Sequence, residues 1–237
     1  MTTCPTIYSR YLGSIPYTRA LALQSALVQA RIRRDSPLRD SNMLLLLQHP
    51  PTYTAGRRIK GTAHTEGRRL RDLGADYYEV MRGGQTTFHG PGQLVGYPIL
   101  DLRQYQMSVR SYVAALETCL IQTCLKYDVS AQTTPDTGVW VQGSKIAAIG
   151  VHVSRHIASH GFALNCNTDL SWFHHIVACG LADKTSTSLS HELNREITVQ
   201  DTLKHVRTAF AQVFNAQIVD GLPPALEADF QKLLQSK

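Results

Sequence analysis

The chain has 237 residues, of which 43% are hydrophobic and 18% are charged. This composition is typical of a globular protein and excludes the polar, charge-rich profile of a disordered one. A formal net charge of +6 favours contact with nucleic acid, an anionic membrane or an acidic protein. The basic residues form only short clusters, at 31–34, 57–60 and 68–71, so we expect no nucleic-acid partner.

The cysteines are odd in number and do not form paired CxxC motifs. They are Cys4, Cys119, Cys124, Cys166 and Cys179. We therefore expect neither a disulfide framework nor a zinc site. The longest apolar run near the N-terminus, 43–47, is too short to span a bilayer, so no membrane partner is expected and a reducing compartment is favoured.

The order of the predicted elements indicates the fold class. Apolar residues at helical spacing predict helices over 17–34, 109–126 and 199–214, with a short helix over 171–177. Short apolar or β-rich runs predict strands over 43–47, 77–82, 93–100 and 145–153. No βαβ rhythm, dinucleotide motif or P-loop is present. We predict an α/β fold with a central mixed sheet flanked by helices, in one domain over 1–237, because no linker divides the chain.

The segment 82–93, RGGQTTFHGPGQ, is unusually rich in glycine. Because glycine lets a ligand approach the main chain closely, this segment is predicted to contact a substrate; a demanding hairpin turn without function is the alternative. His89 either orders the loop, which we favour, or transfers a proton. Arg82 holds either an anionic group of a ligand or a carboxylate of the protein.

Lys145 and Cys179 are the candidate reactive pair. Lys145 begins a predicted strand, and Cys179 follows the predicted short helix. The thiolate is the nucleophilic form of cysteine, and a nearby ammonium stabilises it. Spacing alone does not show that the two residues meet, and a small buried hydrophobe is the alternative for Cys179. We assign that buried role to Cys119 and Cys124 in a helix and to Cys166 in an apolar strand.

The histidines invite a metal hypothesis, which their spacing does not support. The relevant residues are His152, His156, His160, His174 and His175, and none forms an HExxH motif. We therefore expect no metal site. His160, which precedes Gly161, either orients the backbone near a pocket or lies in an exposed turn.

Three segments resemble the octanoyl (lipoyl) transferase family and occur in the family's order. They are RGGQTTFHGPGQLVGY at 82–97, GSKIAAIGVHVSRHIASHGFALN at 143–165 and HIVACGLADKTSTSL at 175–189. The resemblance extends over about 45–193. It implies a single α/β domain like that of lipoate and biotin protein ligases. It also implies that Cys179 is a nucleophile that carries the acyl group as a thioester, and that Lys145 activates it.

The resemblance further implies where a substrate would bind. The matching residues are Arg82, Gly83, Gly84, Gln85, Thr86, Thr87, Phe88 and His89, then Ala148, Ile149 and Gly150, then Gly161, Phe162 and Ala163. It implies no cofactor and no metal. The implied reaction is the first step of endogenous lipoate synthesis, in which octanoyl (or lipoyl) groups pass from acyl carrier protein to a lysine of lipoyl-domain proteins. The implied acceptors are lipoyl domains of 2-oxoacid dehydrogenase complexes and the glycine cleavage H protein.

Two alternative functions remain open at this point. An ATP-dependent lipoate or biotin protein ligase shares the fold and a glycine-rich loop but needs no acyl-cysteine. A non-catalytic basic protein that binds nucleic acid or carrier domains is the second alternative. The wording of the motifs favours a mitochondrial protein, with the cytoplasm expected for a bacterial source, although residues 1–10 are too short and too weakly basic for a clear presequence.

Overall fold

The computed structural model describes residues 4–33, 36–59, 61, 65–176 and 185–235. Its strands are β1 (Thr6–Ser14), β2 (Asn42–Gln48), β3 (Thr52–Ala55), β4 (Asp76–Glu79), β5 (Thr87–His89), β6 (Gln93–Ile99), β7 (Val139–Val141), β8 (Ser144–Ser154), β9 (Ile157–Asn165) and β10 (Gln217–Asp220). Its α-helices are α1 (Tyr17–Ile32), α2 (Glu66–Asp72), α3 (Val109–Leu125), α4 (Leu189–Leu193), α5 (Val199–Val213) and α6 (Pro224–Gln235). A 3-10 helix covers Leu170–His175.

The strands form two sheets. Within the described residues, the larger sheet has seven strands in the order β10-β1-β2-β6-β9-β8-β7. The first three run parallel, and each later strand is antiparallel to its neighbour. The smaller sheet has the order β4-β3-β5, with one parallel and one antiparallel pair. The predicted central mixed sheet with flanking helices is confirmed, whereas the single domain over 1–237 stays a prediction.

Strand β2 shows why the larger sheet is covered on both faces. Leu44 and Leu46 pack in a cluster with side chains of α3 and α5, while Met43, Leu45 and Leu47 pack in a second cluster with α1 and α6. Side chains alternate between the two faces of a strand, so a strand covered on both sides is apolar at every position. Burial of each such side chain contributes about 1.5–3 kcal/mol. The continuous run at 43–47 therefore predicted a buried strand correctly.

Some predicted boundaries were wrong. The strand expected over 77–82 ends at Glu79, because its partner β3 ends at Ala55, which lies opposite Glu79 in the ladder. The glycine-rich segment is not loop throughout, since residues 87–89 form β5 against β3. The short helix near 171 is a 3-10 helix capped by Asp169, whose carboxylate accepts from the Ser171 amide.

The cysteines within the described residues behave largely as expected. Cys119 and Cys124 are buried in α3, and Cys166 is buried one residue beyond the end of β9 rather than inside the strand. Burial raises the pKa of the Cys124 and Cys166 thiols to about 12, so neither is a reactive thiolate at neutral pH. Cys179 lies in the segment 177–184, outside the described residues.

None of the helices in the described ranges combines the length and the apolar character that crossing a lipid bilayer requires.

Candidate active site

A cleft lies where β6, β8 and β9 meet the glycine-rich segment, and we call it the central cleft. The predicted substrate-contacting residues that line it are Arg82, Gly84, Gln85, Thr87, His89, Ala148, Ile149, Gly150, Gly161, Phe162 and Ala163. These residues come from three segments that are distant in sequence. Folding therefore brings together most of the positions that the resemblance implied.

The antiparallel pairing of β8 with β9 explains why two of these segments meet. In this ladder Ala148 lies opposite Ala163, and Gly150 lies opposite Gly161. A Cβ atom on Gly150 would lie 2.9 Å from the carbonyl oxygen of Gly83, so the glycine-rich segment rests directly on β8. Small residues at these positions let three backbone segments approach closely and leave space for a ligand.

Three of the predicted residues do not line the central cleft. Gly83 lines an adjoining groove instead. Phe88 lies between Thr87 and His89 on β5, so its ring points to the opposite face of the strand and stacks on Trp172 at a centroid distance of 5.2 Å. Thr86 is buried, and among the residues that the structure describes its hydroxyl group has no hydrogen-bond partner.

Arg82 anchors the glycine-rich segment to the smaller sheet. Its guanidinium is buried and donates from Nη2 to the carbonyl oxygen of Thr54 at 2.5 Å and to Thr54 Oγ1 at 2.7 Å. Its Nη1 donates to the carbonyl oxygen of Gly83 at 2.9 Å. These contacts fix the turn that forms one wall of the central cleft.

Histidines around the central cleft are buried and neutral. Burial lowers the pKa of His49 to about 4 and that of His160 to about 3. Burial also lowers the pKa of His89 well below its usual value, with smaller contributions from His49 and Arg82. His89 Nδ1 lies 2.9 Å from Gln93 Oε1, and its Nε2 lies 3.3 Å from Thr54 Oγ1. This environment supports the ordering role of His89 and disfavours proton transfer.

The buried histidines predict a loss of stability in acid. An unfolded histidine titrates near 6.5, so between about pH 6.5 and 3 the unfolded chain binds a proton at His160 that the folded protein does not. The contribution of neutral His160 to the free energy of unfolding is therefore complete above pH 6.5. It is lost progressively as the pH falls towards the folded pKa of about 3. We expect His160→Asn to flatten this decline by about 1.4 kcal/mol per pH unit between pH 6 and 4.5. Asparagine tolerates the backbone φ of +54° at this position.

Urea unfolding at pH 7, 6, 5 and 4.5 would measure both slopes. Equal slopes in the wild type and the variant would contradict the neutral, buried state of His160.

Two aromatic residues of the cleft were not among the predicted site residues. Tyr17 and Tyr97 line it together with His160. The Tyr97 hydroxyl contacts His49 Nε2 at 2.8 Å, and His49 Nδ1 contacts the carbonyl oxygen of Ile15 at 2.8 Å. Burial raises the pKa of Tyr17 to about 12, so its hydroxyl is neutral. Tyr17 is an ordinary residue at the start of α1, and only the tertiary fold brings it to the site.

Lys145 lies in the groove that adjoins the central cleft, which we call the lysine groove. Its floor and walls include Arg57, Arg58, Gly83, Gly84, Gln85, Lys145, Ile149, Gly150 and Val151. Gly84, Gln85, Ile149 and Gly150 also line the central cleft, so the two spaces adjoin. The glycine-rich segment and β8 thus form a wall that the two spaces share.

Lys145 is 8% exposed, and both its side chain and its backbone make hydrogen bonds. Its Nζ donates to the carbonyl oxygen of Thr137 at 3.2 Å and lies 4.6 Å from the ring centroid of Trp140. Its backbone N donates to the carbonyl oxygen of Thr185 at 2.9 Å, and the Thr187 N donates to the Lys145 carbonyl oxygen at 3.0 Å. Thr185 is the first described residue after the segment that contains Cys179.

Within the described ranges, no cluster of histidine, cysteine, aspartate and glutamate side chains could hold a metal ion.

Comparison with known proteins decides the family. The catalytic domain of lipoyl protein ligases A and B matches residues 16–211. The mitochondrial octanoyl-[acyl-carrier-protein]:protein N-octanoyltransferase of Danio rerio is 48% identical over 208 residues, covering 88% of this chain and 92% of that protein. The octanoyltransferase of Rubrobacter xylanophilus is 46% identical and covers 86% and 91%. The chain belongs to the octanoyltransferase family.

Solved structures show that the octanoyltransferase fold seen here is that of the ligases. Lipoate-protein ligase A bound with ATP superposes with a TM-score of 0.73 at 13% identity, covering 97% of this chain and 95% of that one. A bipartite lipoate protein ligase from Thermoplasma acidophilum gives a TM-score of 0.74 at 12% identity, covering 98% and 93%. At identities of 12–13%, this similarity shows a shared fold and does not show a shared function.

Proposed function

We propose that this member of the family transfers an octanoyl (or lipoyl) group from acyl carrier protein to a specific lysine of a lipoyl domain, through a thioester on Cys179. The observation that carries the proposal is the 44–48% identity, over 88% of the chain, to vertebrate octanoyl-[acyl-carrier-protein]:protein N-octanoyltransferases. The central cleft would hold the acyl chain, and the lysine groove would admit the carrier arm and the acceptor lysine in turn.

The first step exchanges one thioester for another. The Cys179 thiolate attacks the carbonyl carbon of the donor thioester, and the tetrahedral intermediate collapses by expelling the carrier thiolate. The Lys145 ammonium stabilises the Cys179 thiolate and then gives a proton to the departing thiolate. Because the bond broken and the bond formed are of the same kind, this step needs no nucleotide to drive it.

The second step forms an amide. A free lysine amine has a pKa of about 10.4, so only its small neutral fraction attacks the enzyme thioester. Lys145, left neutral by the first step, accepts the proton that the attacking nitrogen loses. The Cys179 thiolate is then expelled, which restores the starting ionisation of both residues.

The position of Lys145 supports this assignment. Lys145 lines a groove that shares Gly84, Gln85, Ile149 and Gly150 with the central cleft. Its backbone pairs with Thr185 and Thr187, which follow the segment containing Cys179. Lys145 is therefore held beside both the proposed acyl site and the chain that leads to the proposed nucleophile.

The acceptors and the compartment are also part of the proposal. We infer that the acceptors are lipoyl domains of 2-oxoacid dehydrogenase complexes and the glycine cleavage H protein. We infer a mitochondrial location, which is supported by relatives from Danio rerio and Homo sapiens that are named mitochondrial, while bacterial octanoyltransferases at 43–46% identity make the cytoplasm the alternative. Neither a metal nor a cofactor takes part in the proposed steps.

The ATP-dependent ligase is the alternative that shares the fold, and one comparison separates the two functions. We would mix the protein with an apo lipoyl domain and measure the acceptor's mass in two reactions. One reaction contains octanoyl acyl carrier protein without ATP, and the other contains free octanoate with ATP and Mg²⁺. We expect an octanoylated acceptor only in the first. Modification only in the second would replace the transferase proposal with a ligase.

A further inference from the structure

A chain of buried hydrogen bonds runs from the central cleft to the backbone of Lys145. Arg82 donates to Thr54 Oγ1, and Thr54 Oγ1 lies 3.3 Å from His89 Nε2. His89 Nδ1 lies 2.9 Å from Gln93 Oε1. This series of hydrogen bonds thus crosses from the smaller sheet to β6 of the larger one.

The second half of this series of hydrogen bonds passes through two buried side-chain amides, those of Gln93 and Asn165. Gln93 Nε2 donates to Asn165 Oδ1 at 2.9 Å, and Asn165 Nδ2 donates to the carbonyl oxygen of Thr187 at 2.9 Å. Thr187 N in turn donates to the Lys145 carbonyl oxygen at 3.0 Å. Gln93 is 1% exposed and Asn165 is 4% exposed, so water competes poorly for these groups.

The backbone carbonyl at one end fixes the direction of these hydrogen bonds. The Thr187 carbonyl can only accept, so Asn165 and Gln93 donate through their amide nitrogens, and Gln93 turns its Oε1 towards His89. His89 therefore carries its proton on Nδ1, and because burial keeps the ring neutral, its Nε2 accepts from the Thr54 hydroxyl. A network in which each member has one permitted orientation is rigid, and loss of one member leaves buried groups unpaired.

We infer that Asn165 is a positioning residue for the acyl-transfer reaction. It holds the Thr187 carbonyl and so fixes the segment 185–187, whose backbone pairs with Lys145 on β8. Through Gln93 and His89 it ties that segment to the wall of the central cleft. Asn165 touches no reacting atom; it sets where Lys145 lies relative to the acyl group and to the chain leading to Cys179. This inference rests on the proposed function.

The test is Asn165→Asp, which keeps the shape and the acceptor oxygen for Gln93 but places a second oxygen against the Thr187 carbonyl. We expect the rate constant of enzyme octanoylation at saturating donor to fall about 30–100-fold, because misplacement of a catalytic group by about 1 Å costs a factor of that order. The donor concentration for half-maximal rate should change less than about 3-fold, since the residues lining the central cleft are unchanged.

The pH dependence distinguishes positioning from a general loss of structure. A protonated carboxyl group can donate to Thr187 as the amide does, and burial raises the pKa of a carboxyl group. We therefore expect the ratio of variant to wild-type rates to rise towards one as the pH falls from 8 to 5.5. A ratio that is constant over this range, or a loss below 3-fold, would overturn the inference.

Asn42→Ser is the matched control. Asn42 is also a buried amide, 2% exposed, whose Oδ1 accepts from Arg31 and whose Nδ2 donates to Gln104. Its removal should lower stability but leave the octanoylation rate of the folded protein within about 2-fold. If Asn165→Asp does not fold, Asn165→Ser, which adds no charge, should show the same 30–100-fold loss. A rate for Asn165→Ser equal to that of the control would also overturn the inference.

Parallel measurements separate failure of this inference from failure of the proposed function. Cys179→Ser and Lys145→Met are assayed with the same donor. If both retain the wild-type rate, the proposed mechanism fails. If both lose activity while the Asn165 variants keep it, only the positioning role fails.

Discussion

Replacing Lys145 with methionine is expected to slow formation of the octanoylated enzyme about 1,000-fold. Methionine keeps the unbranched side chain that packs beside Trp140 but removes the ammonium group, whose Nζ lies 4.6 Å from the ring centroid. General acid–base catalysis contributes factors of about 10²–10⁴, and the same group also stabilises the attacking thiolate. Rapid-quench mixing with octanoyl acyl carrier protein, followed by intact mass measurement, would give the rate constant.

Lys126→Met is the matched control for this variant. Lys126 is an exposed lysine directly after α3 and lines neither the central cleft nor the lysine groove. It should acylate at the wild-type rate. A Lys145→Met rate within about 10-fold of that of the control would remove Lys145 from the mechanism.

Gly161→Ala is expected to cause the largest loss of stability among glycine-to-alanine changes at Gly84, Gly150 and Gly161 of the central cleft. A Cβ at this position would lie 2.2 Å from the carbonyl oxygen of Gly96 and 2.6 Å from Pro98 Cδ. These atoms belong to the neighbouring central strand β6, so relief requires the two strands to separate. We expect the free energy of unfolding to fall by about 4 kcal/mol, above the usual range for overpacking. Urea unfolding monitored by tryptophan fluorescence measures it.

Gly143→Ala separates crowding from backbone strain. Gly143 has a φ of +86°, but a Cβ there meets no atom of the described residues within 4 Å. The strain of placing alanine in this conformation costs about 1–2 kcal/mol. A Gly161→Ala protein that is as stable as Gly143→Ala would show that β6 and β9 are not packed as closely as described.

The local sequence predicted those helices and strands whose buried residues recur at a regular spacing along the chain. The helices at 109 and 199 begin at the predicted residues and end within one residue of the predicted positions. Both have N-caps that hydrogen-bond the first turn, from Ser108 and Thr198, and such caps are encoded locally. The continuous run in β2 likewise gave a buried strand. Strand β4 was predicted too long because its end depends on β3, which lies some twenty positions earlier.

The candidate site was predicted only in part, for a similar reason. Glycine density and the resemblance identified the walls of the central cleft. Tyr17 and Tyr97 carry no local signal, since their role depends on how α1 and β6 pack around His49. Asn165 is the last residue of the family-like segment 143–165, and its importance comes from a hydrogen bond to Thr187 across the fold.

The acyl-enzyme itself provides the most direct test of the central claim. We would mix purified protein with octanoyl acyl carrier protein in the absence of ATP and measure the intact mass of the enzyme. We expect one octanoyl adduct that hydroxylamine removes, that maps to Cys179, and that is absent from Cys179→Ser. An adduct that persists in Cys179→Ser, or acceptor modification without any acyl-enzyme in the wild type, would contradict transfer through this cysteine.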